Sequence, residues 1–90
     1  MLNVDYDRRA DVLYISKGQP VSAYGEQDDD GLLVRSSIET GEPVGLTVFK
    51  YRRWAAAHRS YLIERISVVL GVETREAVSV LKEIDNEINA

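Results

Sequence analysis

The chain contains no cysteine, which excludes disulfides and thiolate metal sites and removes two devices that commonly hold small domains together. It has one histidine, His58. The surrounding Arg52, Arg53 and Arg59 favour its neutral form, but a base needs a partner, and Ser60, two residues on, faces elsewhere on a helix. No nucleophile elbow, phosphate-binding glycine loop or other cofactor motif occurs. The chain is therefore expected not to be an enzyme, with no catalytic residue, cofactor or metal ligand. Long apolar runs are also missing: no window of about 18 such residues exists, and no apolar stretch of signal length follows a basic start. The expected location is the cytoplasm, with no membrane contact.

What is present is a chain of 90 residues, 44% apolar, read as one domain over residues 1–90. By surface scaling a chain this short buries only about two thirds of its unfolded surface, so association with a second copy is the expected staple. Its formal charge of −4 is unevenly spread. Residues 1–49 hold nine acids and four bases, residues 50–65 one acid and five bases, and residues 66–90 five acids and two bases. The three segments thus carry −5, +4 and −3, and only the middle one can attract a polyanion.

Two hydrophobic periods divide the domain. Leu2, Val4 and Tyr6 alternate with Asn3 and Asp5, a charged turn follows, and Leu13 and Ile15 share one face of the next run, which is a hairpin signature. Val21 to Tyr24, after the Gly18-Gln19-Pro20 turn, and Leu32 to Ser36, after Asp28-Asp29-Asp30-Gly31, read as further strands. The last opens at Pro43 and runs through Val44, Leu46 and Val48 towards Tyr51. Past Tyr51 the period becomes helical: Ala55, Leu62, Ile63, Ile66, Val69 and Leu70 form one stripe, Gly71 stops it, and Thr74 as N-cap opens a second helix with stripe Ala77, Leu81, Ile84 and Ile88. The expected fold is α+β, an N-terminal antiparallel β-meander of four to five strands over residues 1–51 followed by two helices in a tail over residues 52–90. The two stripes exceed what half a small sheet covers, which points to a homodimer assembled through the tail.

Three groups invite a chemical reading. Glu26, Asp28 and Asp30 before Gly31 match the first half of a calcium loop, but the closing carboxylate position falls on Ser37, so a solvated turn is expected. Asp5, Asp7 and Asp11 are the only visible basis for metal-assisted hydrolysis; no histidine or cysteine accompanies them, and turn chemistry accounts for Asp7 and Asp11. Lys50, Arg52, Arg53, Trp54 and Arg59 interleave cations with aromatic rings in the manner of phosphate contact plus base stacking. They form the candidate interaction surface. The plainer account has Trp54 and Tyr61 packing on the sheet and the arginines pairing with the acids at 28–30. Basic residues at a helix start also oppose the helix dipole.

Tyr6-Asp7, then Asp11-Val12-Leu13-Tyr14-Ile15, then Asp30-Gly31-Leu32-Leu33-Val34, then Pro43-Val44-Gly45-Leu46-Thr47-Val48 together resemble the bacterial domain-of-unknown-function family 2283 over residues 2–50. The resemblance implies a small β-meander domain and, through the toxin-like neighbours of such proteins, an antitoxin-type role. Leu46-Thr47-Val48 departs from the usual Ile-Glu-Ile, and the helical tail is longer than the family's, so the tail's role is not inherited. The functional expectation is a non-enzymatic protein-interaction module, antitoxin-like, whose partner is a small basic protein. The alternative is a nucleic-acid-binding or autoregulatory protein using residues 50–59.

Overall fold

The computed structural model describes residues 2–18, 21–27 and 31–89. The Gln19-Pro20 part of the first turn and the acids 28–30, including the Asp28 and Asp30 of the calcium register, lie outside the described residues. Five strands come first, β1 (Leu2–Asp7), β2 (Val12–Lys17), β3 (Ala23–Gln27), β4 (Leu32–Ser37) and β5 (Pro43–Phe49). Helices α1 (Tyr51–Ala57), α2 (Arg59–Leu70) and α3 (Thr74–Ile88) follow. The α+β architecture expected from the two hydrophobic periods is therefore present.

All strand pairs are antiparallel, and the sheet order is β1-β2-β5-β4-β3. The meander is interrupted once. The chain passes from β2 to the far edge and works back, so that β5 arrives last and occupies the centre in a Greek-key arrangement. Gly45 permits that insertion: a Cβ there would lie 2.9 Å from the Ile15 carbonyl oxygen of the neighbouring strand. β3 begins two residues later than the Val21 start read from sequence. Val21 and Ser22 have no partner in the register, which starts at Ala23↔Ser37, and a Cβ at Gly25 would lie 3.1 Å from the Leu33 side chain.

The pairing Val4↔Ile15↔Leu46↔Val34 and Leu13↔Val48↔Leu32 puts the apolar members of four strands on one face. That face joins Tyr51 and Ala55 of α1, Leu62, Ile66 and Leu70 of α2, and Ala77, Val80, Leu81 and Ile84 of α3 in a single core. The helical stripes thus lie largely as expected, with one break. The helix expected to run from residue 52 to Leu70 divides at His58, whose φ of −128° and ψ of 33° leave the α region. Gly71 ends α2 at φ 66°, the left-handed C-terminal turn its sequence position implies. The N-cap of α3 is Glu73 rather than Thr74, and its side chain makes no cap bond. Most of both stripes is buried within one chain, with Ile63, Val69 and Ile88 partly buried, so covering them does not require a second copy. Among the described residues no helix packs on the opposite face of the sheet.

Candidate functional site at the β5–α1 corner

The turn from β5 into α1 is tight. Lys50 takes a left-handed conformation, φ 53°, and α1 starts immediately after it with no acid in its first turn and no side-chain cap of its own. Four N–H groups at such a terminus need acceptors. Asp11, from the β1–β2 turn, supplies acceptors for two of them. Its carbonyl accepts the Tyr51 N–H at 3.0 Å and its carboxylate the Arg52 N–H at 3.1 and 3.3 Å, placing a negative charge at the positive end of a helix that begins with two arginines. The sequence predicts closure of the β1–β2 turn by both Asp7 and Asp11; only Asp7 does so, accepting the N–H groups of Arg9 and Ala10 at 3.0 and 3.1 Å, while the Asp11 carboxylate is turned to Arg52 and Tyr6. Asp5 projects away from the Val4 and Tyr6 face and is exposed.

Beneath α1 two tyrosines meet edge to face, Tyr6 and Tyr51, with ring centroids 6.0 Å apart. Tyr6 donates its hydroxyl proton to Asp11, and Tyr51 donates to Asp85 of α3 at 2.8 Å. Arg59 completes the second cluster, 2.8 Å from Asp85 and donating to the Tyr51 hydroxyl at 3.4 Å. Arg59 therefore pairs with Asp85, across the α2–α3 fold; the acids at 28–30, expected from the sequence to take this role, lie outside the described residues. The pair is about one-third exposed on each side, so its own contribution is about 1 kcal/mol or less.

Burial, then the bond to Asp11 and the charge of that carboxylate, push the Tyr6 phenol from 10.0 up to about 12. Burial and Asp85 raise Tyr51 as well. In the unfolded chain both phenols ionise near the ordinary value; in the folded chain they stay protonated. Their contribution is complete below pH 10 and is lost as pH rises through the raised folded values. The urea midpoint should accordingly fall as pH rises from about 10 towards 12, and less steeply in a Tyr6→Phe, Tyr51→Phe variant. Equal alkaline sensitivity of both proteins would contradict the assignment.

The five residues singled out from sequence do not form one patch. Arg52 and Arg59 lie on the side of α1 that faces α3, with Tyr51, Asp85 and Ile88 around a shallow depression. Lys50, Arg53 and Trp54 lie on the other side, where with Gln27, Gly31, Leu32, Val48, Phe49, Ala57 and His58 they line a half-open groove of about 450 Å³. The Trp54 indole is fixed there. His58 stacks on it at 4.7 Å and 14°, Tyr61 meets it edge to face at 6.1 Å, and His58 Nδ1 lies 3.0 Å from the Trp54 carbonyl oxygen. The sequence placed these side chains next to one another but gave no sign of the split, which depends on where the helix breaks. The capping role of Asp11 left one trace: a helix that starts with bases and no acid needs a carboxylate from elsewhere. Among the described residues no three histidine or carboxylate side chains come together in a metal-binding group, and no helix is long and apolar enough to cross a membrane. Comparison of the chain with protein-family models, curated proteins and solved structures finds no match.

Proposed function

We propose that this chain is a non-enzymatic protein-interaction module, and that the uncovered face of its sheet docks a polypeptide partner rich in basic residues. The observation that carries the reading is a cross-strand row on that face, Tyr14↔Thr47↔Leu33, beside the pair Val12↔Phe49. Tyr14 and Phe49 are 40% and 43% exposed, while Thr47 between its neighbours is only 3% exposed. An apolar, aromatic-bearing centre that no described element of the chain covers has the anatomy of a protein interface. Its β1 rim carries the exposed Asp5 and Asp7, and the chain as a whole is at −4, which favours encounter with a cationic partner.

An acidic module of this kind suits neutralisation of a small basic protein, the antitoxin-type role that the resemblance to family 2283 implies, in the cytoplasm, where a chain without cysteine is at home. Metal-assisted hydrolysis on Asp5, Asp7 and Asp11 has less to support it, since Asp7 and Asp11 are held by backbone N–H groups and Asp5 stands on the open face. The nucleic-acid reading is weakened by the division of the basic block between two sides of α1.

A photo-crosslinking side chain at Tyr14 tests the proposal against the same group at Val68, which is 66% exposed on α2. Salt-sensitive crosslinks from position 14, and not from position 68, to a basic polypeptide that also co-purifies with the untreated chain are expected. Crosslinks from position 14 only to a second copy of the chain, with a dimer mass in sedimentation, would replace the partner with a homodimer. Equal capture at both positions would dismiss the open face.

A further inference from the structure

The groove between α1 and the ends of β4 and β5 shares Phe49 with the open sheet face, but its lining otherwise differs in kind. Phe49 and Ala57 supply exposed apolar wall above the buried Leu32 and Val48, and Trp54, stacked by His58 and met edge to face by Tyr61, supplies a flat ring that cannot easily turn aside. Two cations border this space, Lys50 and Arg53. Both are exposed, and neither has an acidic partner among the described residues. Their contrast with the neighbouring bases is informative. Arg59 is engaged by Asp85, and the Arg52 backbone by Asp11, whereas Lys50 and Arg53 are left facing an apolar cleft. The volume suits a molecule of one or two fused rings with one acidic group, and is short of the continuous basic track a nucleic-acid strand requires.

We infer that this groove is a binding site for a small aromatic anion, a planar ring system carrying one carboxylate or phosphate, with the ring against Trp54 and the charge at Lys50 and Arg53. The ring displaces water from Phe49, Ala57 and the open part of Trp54, which stabilises any flat apolar body, charged or not. The cations add discrimination, because a neutral ring of the same shape leaves them without the charge-assisted contacts an acid provides. Trp54 positions the ring; Lys50, anchored at φ 53° by the turn, and Arg53 from α1 read the charge.

Trp54 is the only tryptophan in the chain, so its indole N–H gives one resolved resonance in a ¹⁵N-labelled sample. The probes are 2-naphthoate and adenosine 5′-monophosphate, with 2-naphthamide, adenosine and inorganic phosphate as controls. Saturable displacement of the Trp54 resonance is expected with at least one of the two ring anions, and binding about ten-fold weaker for its neutral counterpart. A response to naphthoate alone assigns the site to aromatic acids, and a response to the nucleotide alone assigns it to mononucleotides. The Lys50→Gln, Arg53→Gln variant should lose about ten-fold in affinity with an unchanged circular dichroism spectrum, Lys50→Arg, Arg53→Lys should retain binding, and Arg52→Gln on the other side of the helix should bind as the parent does. Equal affinity for the neutral ring would overturn the inference. So would no saturation by either anion at millimolar concentration, as when the acids at 28–30 already neutralise the two cations. Binding of a short oligonucleotide that far exceeds the mononucleotide and falls steeply with salt would overturn it in favour of a nucleic-acid site.

Discussion

Replacing Asp11 with alanine is expected to lower the unfolding free energy by about 2–4 kcal/mol. Loss of a helix cap costs about 0.5–2 kcal/mol, and loss of a hydrogen bond to a charged group about 1.5–3 kcal/mol. Asp11 serves both purposes, accepting from the Arg52 N–H and from the Tyr6 hydroxyl. A third contribution is conformational. Asp11 sits at φ 56°, where aspartate is tolerated and alanine is not, at about 1–2 kcal/mol. Asp11→Gly removes the carboxylate without the backbone strain, so the difference between the two variants isolates that strain. Urea denaturation followed by circular dichroism measures all three proteins. A loss within about 0.5 kcal/mol of zero for Asp11→Ala, the range of an uninvolved surface position, would show that the helix terminus is satisfied by water instead.

The largest loss is expected at Tyr51. Its side chain is buried at the meeting point of β1, α1 and α3, and truncation of a buried aromatic to alanine costs about 3–5 kcal/mol. Tyr51→Phe keeps the ring and removes only the hydroxyl bond to Asp85, at about 1 kcal/mol. The remaining Arg59–Asp85 pair still satisfies the carboxylate, which keeps that penalty small. Comparable losses for the two variants, read from urea midpoints at equal slope, would mean that the hydroxyl network holds the corner rather than the packing of the ring.

These two residues also mark the limit of what the chain discloses by pattern alone. Period-two alternation located β1, β2, β4 and β5, and the helical stripes Leu62-Ile66-Leu70 and Ala77-Leu81-Ile84 located the faces that enter the core, because both signals are local consequences of burial on one side. β3 was displaced because its own residues, Gly25, Glu26 and Gln27, have little strand preference and are held in register by β4. The break at His58 carries no proline or glycine and could not be read from composition. The strand order was equally silent, since alternation says which side faces in and not which neighbour a strand takes. At the corner the sequence singled out Lys50 to Arg59 as chemically unusual. Their partners, Asp11 and Asp85, are 41 and 26 positions away from Arg52 and Arg59, and such pairings exist only once the fold does.

The central place of β5 has a consequence for how the chain comes into being. Synthesis runs from the N-terminus, and domains fold as their parts emerge. Up to residue 42 the growing chain can close two separate hairpins, β1 with β2 and β3 with β4, each with one bare inner edge and no helix to shelter its apolar face. Pro43–Phe49 joins these halves, pairing with β2 on one side and β4 on the other, and the helices that follow cover the result. Two-stranded hairpins are marginal on their own, so the nascent chain holds open strand edges until its middle strand appears, and the interval just before that strand is when misassembly between neighbouring nascent chains is most easily started.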